Sequence, residues 1–308
     1  MSSVDVVCLG ILVADVIARP VDSLPETGSL GFVDEVALRG GGCALNTSSA
    51  LVRLGLRAAA VGKVGADPFG DFIVSLLDER GVDRRGVLRD DAAPTSATVV
   101  LVSGDGERTF LHVPGADAAL RAGELDPELL YAGRCLHVAG ALVLEELDGE
   151  PLAAILAEAR RRGLLTSLDT VWDASARWSR VEPCLEHLDL FVPGLGEARA
   201  ITGEDEPGRA AAWLRARGVG SVALTMGPDG CYAAGDGFEG AIPAPHVRAV
   251  DGTGAGDAFA AGLLYGTLAG WELERAARLA CAAGALATTA VGAFEGVGTL
   301  DETVALVA

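Results

Sequence analysis

Residues Val250–Gly266 read VDGTGAGDAFAAGLLYG. Small residues fill the positions just before Asp257, and a long apolar run follows it. That run is apolar nearly all round, so it reads as a buried helix whose N-terminus lies at the glycine loop. The amides of Gly254, Ala255 and Gly256 would then project from a helix end, where the dipole favours negative charge. This outlines a phosphate site, yet Asp257 sets a carboxylate beside it. Taken alone, the loop fits equally well an aspartate N-cap on a tight turn. It is a poor dinucleotide fingerprint, because GTGAGD lacks the third glycine and lies near the C-terminus instead of after the first strand. No Gly-x4-Gly-Lys-Ser/Thr loop occurs anywhere in the chain.

Working outward, short apolar runs alternate with helical patterns. VVCLG near residue 6, AAAVG near 58, CLHVAG near 135, LLTSLD near 164, DLFVP near 189 and VALTM near 222 read as buried strands. Between them, DFIVSLLDERG sets Phe72, Ile73, Leu76 and Leu77 on one helical face, and PLAAILAEARRRG starts with Pro151 in a first turn and stops at Gly163. Strand and helix in turn predict an α/β fold with a doubly wound, mostly parallel sheet covered on both faces. Two stretches break the rhythm. SATVVLVSGDGERTFLHVPG carries a hairpin signal at Gly104-Asp105-Gly106, and GSLGFVDEVALRGGG alternates like an exposed strand. From pattern alone these stretches form either a projecting lid or an antiparallel extension of the main sheet. No repeat, low-complexity tract or linker interrupts the chain, which reads as one unit over 1–308 with insertions at about 12–40 and 95–115.

A second glycine cluster, RGGGCALNTSSALVRLG, precedes a helical pattern in which Leu45, Leu51 and Leu54 share a side. Gly41 and Gly42 permit close approach of a ligand to backbone, and Asn46 offers both a donor and an acceptor; a plain loop and capped helix also fits.

Composition narrows the partners. At 308 residues and 50% hydrophobic, the chain can bury a large core. A net charge of −19 argues against broad nucleic-acid or membrane-surface binding, so any phosphate must be held locally. The six cysteines lie far apart in sequence with no Cys-x-x-Cys pair, as expected for reduced, buried thiols, and the four histidines lack zinc-site spacing. The N-terminal residues lack a secretory pattern and no apolar run of about 18 residues occurs; a cytoplasmic location is expected.

The two glycine regions, in this order, resemble the signatures of the PfkB carbohydrate kinases, the ribokinase-like family: GGCALNTSSALVRLG early and DGTGAGDAFAAG late. Similarity extends through GKVGADPFGDFIVSLLDERGV, the TMGPDG turn and the C-terminal helix ending in VGA. The resemblance implies a ribokinase-like fold whose β-rich excursion is a small β-sheet lid over a sugar. It implies ATP-dependent phosphorylation of a hydroxyl on a small sugar or polyol, with Mg2+. Asp257 would match the catalytic base, and Gly254, Ala255 and Gly256 the anion hole. Asp15, Gly41, Gly42 and Asn46 would match sugar-binding positions, and Thr225, Gly227 and Gly230 a segment along the ATP site. Glu197 would act on Mg2+ through water, and Asp251 and Thr253 would help to bind a monovalent cation such as K+. In some relatives the lid pairs between two subunits, which implies a homodimer.

Several positions depart from that pattern. PGLGEA keeps Glu197 but has Gly194 where many relatives have asparagine; DTVWD has Val171 and Asp173 in place of asparagine and arginine; and Cys281 stands where ribokinases often have asparagine. Arg108 in the hairpin, and Glu145 and Glu146, read more simply as solvated groups. Two alternatives remain open: a nucleoside kinase of the same family, and a non-catalytic sugar sensor.

Overall fold

The computed structural model describes residues 4–307. Thirteen strands form two sheets. β1 (Val6–Gly10), β4 (Ala58–Gly65), β5 (Asp83–Asp90), β8 (Cys135–Ala141), β9 (Leu165–Thr170), β10 (Leu190–Phe191), β11 (Ser221–Thr225), β12 (Cys231–Gly235) and β13 (Phe238–Ile242) make the larger one, in the order β13-β12-β11-β10-β9-β8-β1-β4-β5. Its pairings from β5 to β11 are all parallel; the β12–β13 hairpin adds an antiparallel edge.

Both faces of this sheet are covered, because successive side chains point to opposite sides. Val7 and Leu9 of β1 pack with Leu136, Val138, Leu168 and Phe191 under the helices Glu150–Arg161 and Pro207–Arg215. Val6 and Cys8 pack on the other face under the helices Cys43–Arg53, Ala255–Leu268 and Leu273–Ala287. The last two helices touch backbone to backbone: a Cβ added at Gly262 would stand 2.8 Å from Ala280 Cα, and one at Gly266 2.8 Å from Ala276 Cα. This close approach fixes where the N-terminus of helix Ala255–Leu268 points. As predicted, that helix is buried along most of its length, from Ala258 through Leu264.

The two irregular stretches pair with each other and stand apart from the main sheet. β2 (Val13–Arg19), β3 (Glu35–Gly41), β6 (Ala97–Val102) and β7 (Arg108–Val113) form a four-stranded sheet in the order β3-β2-β6-β7. Of the two arrangements the pattern allowed, the structure has the separate small sheet. The predicted hairpin turn closes with Ser103 N–H donating to Glu107 O at 2.9 Å. One face of the small sheet looks onto a cavity over the C-terminal strand ends; the other carries Val36, Val99, Leu111 and Val113, all exposed.

Three smaller features of the sequence take their places in this fold. All six cysteines are free and five are buried; the Cys281 thiol donates to Cys231 Sγ at 3.6 Å, so this pair, distant in sequence, is adjacent in space. Lys63, the sole lysine, is buried on β4, where Asp90 (3.0 Å) and Glu124 (2.7 Å) neutralise it. No helix of the described residues is long and apolar enough to cross a membrane. Replacing Gly262 by leucine should push the two helices apart and lower unfolding free energy by about 1–3 kcal/mol, read from urea unfolding.

Candidate active site

The carboxyl ends of β1, β8, β9 and β11 meet where the strand order reverses around β1, the place where open α/β sheets bind ligands. Helix Cys43–Arg53 begins there. Gly42 caps it at φ 86°, and a Cβ on Gly42 would lie 2.5 Å from Ile11 O, so glycine lets the helix start against the end of β1. Helix Ala255–Leu268 begins on the same side, with Gly254 as its left-handed cap at φ 76°. The two helix starts bring Asn46 and Asp257 together: Asn46 Nδ2 donates to Asp257 Oδ2 at 2.9 Å. Asn46 Oδ1 is buried with no partner, leaving an acceptor for a hydroxyl.

Two cavities share Asp257. The larger, of 920 Å³, lies under the small sheet and is lined by Asp15, Gly41, Gly42, Asn46 and Asp257 together with Arg19, Arg39, Arg108, Phe110 and Trp172. The smaller, of 280 Å³, is lined by Asp169, Thr170, Gly194, Glu197, Thr225 and Gly256. Asp257, Gly254 and Cys43 border both. Asp15 sits on β2 paired with Arg39, diagonally across from Gly41, and a Cβ on Gly41 would come within 2.2 Å of Asp15 Oδ2, so the glycine makes room for the carboxylate. Burial pushes the Asp15 carboxyl up to about 6, against a hydrogen bond from Thr98.

Three carboxylates gather at the smaller cavity. Oxygens of Asp169 and Asp257 and the sulfur of Cys43 lie within 4.8 Å of one another. Burial raises Asp257 to about 6, opposed by hydrogen bonds from Asn46, Cys43 and Thr47. Burial, then the Asp257 charge, raises Asp169 well above the usual carboxylate range. Glu197 is raised by burial too, while Thr170 Oγ1 (2.7 Å) and Gly194 N–H (2.8 Å) donate to it. Such a set of hard oxygen donors, with no cation among them in the described residues, fits Mg2+. Burial holds the Cys43 thiol protonated, so it serves as a donor and not as a metal ligand.

The amides at this helix start differ in their partners. Ala255 N–H donates to Gly252 O at 3.3 Å, whereas Gly254, Gly256 and Asp257 N–H have no partner among the described residues. Thr225 lies at the smaller cavity, bridged to Gly194, but Gly227 and Gly230 line neither cavity; they shape the turn beyond β11, and a Cβ on Gly230 would fall 2.0 Å from Ile242 O. Cys281 also lines neither cavity.

The expected monovalent-cation position is otherwise engaged. Asp251 Oδ1 accepts from Thr253 N–H (3.0 Å), Thr253 Oγ1 (2.7 Å) and Arg108 Nη1 (2.9 Å), and Oδ2 accepts from Gly292 N–H (2.9 Å). Burial would raise this carboxyl, but those donors hold it below its usual range. Each oxygen thus has a donor, and Arg108 brings a guanidinium to the carboxylate where a cation was expected.

Asp169 and Arg108 are the residues that sequence reasoning missed. Asp169 opens DTVWD, where attention fell on Val171 and Asp173. Asp173 in fact turns away, accepting from Ser175 N–H (2.8 Å) and Arg177 N–H (2.6 Å).

Comparison with known proteins gives this fold and its paired cavities their class, the ribokinase-like sugar kinases. The profile of the pfkB family carbohydrate kinases matches residues 3–299, so the chain belongs to that family and is a sugar kinase. It is similar to Fructokinase-1 of Zea mays, 31% identical over 307 residues, covering 93% of this chain and 94% of the maize protein. In fold it is similar to a ribokinase from Thermotoga maritima (TM-score 0.85, 23% identity, 99% of both chains). It is also similar to a ribokinase from Arabidopsis thaliana solved with ribose and ATP (TM-score 0.84, 23% identity, 99% of this chain and 98% of that one).

Burial holds the carboxyls of Asp15 and Asp257 up at about 6, and as acceptors for a substrate hydroxyl both would act in the ionised form. The value of kcat/KM should therefore fall below about pH 6 and level off above it. Asn46→Ala removes a donor that stabilises ionised Asp257, so the acid limb should move to higher pH in a pH–rate profile.

Proposed function

We propose that this carbohydrate kinase transfers the γ-phosphoryl group of ATP to a hydroxyl of a small, neutral sugar, with Asp257 as general base. One observation carries the reading: Asp257 stands at the junction of a cavity fit for a sugar and a smaller one fit for metal and phosphate. Asp15 and Asn46 orient the sugar, and Asn46 aims Asp257. Asp257 takes the proton as the hydroxyl becomes acidic. The amides of Gly254 and Gly256 receive charge that develops on the phosphoryl oxygens. Asp169 and Glu197 would hold Mg2+, Glu197 through water; the ion supplies charge neutralisation between the phosphates and these carboxylates. The small sheet acts as a lid that excludes water as a competing acceptor.

The charges of the larger cavity favour a neutral substrate. Arg19 pairs with Glu35 at 2.5 Å, Arg39 donates to Leu38 O at 3.2 Å and faces Glu35, and Arg108 pairs with Asp251. Among the described residues each arginine of this cavity thus lies beside a carboxylate, Arg39 sharing Glu35 with Arg19. The maize relative's name supports a ketohexose such as fructose. The rings of Phe110 and Trp172 in the same cavity favour a nucleoside as the second reading.

A panel of neutral sugars, sugar phosphates and nucleosides with ATP and Mg2+ tests the substrate; turnover of phosphorylated sugars alone would overturn the neutral class. Asp257→Asn should lower kcat about 10²–10⁴-fold with little change in sugar KM, and an unchanged kcat would remove Asp257 as base. The exposed outer face of the lid, with Val36 67% and Leu111 60% exposed, suits pairing with the lid of a second copy. Leu111→Asp should then turn a dimer into a monomer by sedimentation.

A further inference from the structure

Arg108 is the first residue of β7, at the turn end of the lid hairpin, and it reaches across the mouth of the larger cavity. Its Nη1 lies 2.9 Å from Asp251 Oδ1 and 2.5 Å from Thr253 Oγ1. Asp251 and Thr253 belong to the loop that runs straight into Gly254 and Gly256, the amides aimed at the phosphoryl position.

That loop has few other holds. The N–H groups of Val250 and Asp251 donate to Thr288 O (2.7 and 3.1 Å), and Gly292 N–H donates to Asp251. Asp251 is thus the point where the loop, the 288–293 segment and the lid converge. A bare carboxylate there would repel the polyphosphate the amides are meant to receive. A guanidinium solves this with fixed, directed donors on a tether.

We infer that Arg108 replaces a bound monovalent cation in this chain: it neutralises Asp251 and holds the 250–254 loop in the shape that presents the amides. Because Arg108 travels with the lid, the amide cradle is complete only when the lid covers the sugar. Arg108 touches neither the reacting hydroxyl nor the base, so it is a positioning residue. Two consequences separate it from a surface ion pair, which at this exposure would contribute little. The rate owes nothing to potassium, and the effects of Arg108 and Asp251 on the rate are shared.

The inference rests on the kinase reading, and the test keeps the two apart. Wild-type kcat, with the best sugar from the panel, is measured in potassium, sodium and tetramethylammonium chloride at one ionic strength. Less than about threefold variation is expected, and a larger activation by potassium overturns the inference. Arg108→Gln and Asp251→Asn should each lower kcat about 10–100-fold, with sugar KM changed less, and the double variant should be no slower than the slower single one. Multiplying losses would overturn the shared role.

The third arm needs no turnover. Glu-C cleavage after Glu107 in the hairpin turn should be faster in Asp251→Asn, whose lid sequence is intact, than in the wild type; equal rates refute the contact. If the wild type phosphorylates nothing in the panel, the substrate reading fails while this cleavage comparison still decides the latch.

Discussion

The hydrogen bond of 2.9 Å between Asn46 and Asp257 joins residues 211 positions apart, and the site exists only where it can form. It needs two helix N-termini to arrive side by side at the ends of β1 and β8. One arrives because Gly42 allows helix Cys43–Arg53 to start against Ile11. The other arrives because Gly262 and Gly266 let helices Ala255–Leu268 and Leu273–Ala287 touch. Side chains of ordinary size in that seam would displace the amides and Asp257 together, and displacements of about 1 Å are costly for positioned groups.

Much of this frame is legible in sequence. The buried strands β1, β4, β8, β9, β10 and β11 announce themselves as short apolar runs, and the Gly-Asp-Gly turn announces the lid. β5 does not, because DRRGVLRD lies at the sheet edge and carries charge on its open side. β12 and β13 are masked by alanine and glycine, which signal turns or helices as readily as strands.

The site divides along another line. Residues inside the two glycine motifs stand out in the sequence, and the structure sets Gly41, Gly42, Asn46, Gly254 and Asp257 along the cavities. Asp169 does not stand out, because a carboxylate at the end of a buried strand has no local mark; its place follows from β9 lying beside β8 and from Gly140 N–H meeting it. Arg108 resembled an exposed hairpin arginine because its partner lies 143 residues away. Gly227 and Gly230 have a local reason as well: the turn beyond β11 takes positive φ there, at 58° and 95°.

A net charge of −19 explains why the charges at the site are arranged as they are. No long-range attraction draws a polyphosphate to this surface, and the cations that border the sugar cavity are already paired. At the phosphate end the imbalance is reversed: Asp169, Asp257 and Glu197 stand together in a buried place, and after burial itself the charges of the other two hold Asp169 well above the usual carboxylate range. Free ATP, itself strongly anionic, would meet repulsion there; a metal-bound nucleotide would relieve it. The same carboxylates that disfavour the bare anion would therefore favour its metal complex. In the proposed reaction a cation held by Asp169 and Glu197 would also add positive charge beside Asp257 and so lower its affinity for a proton while it serves as base.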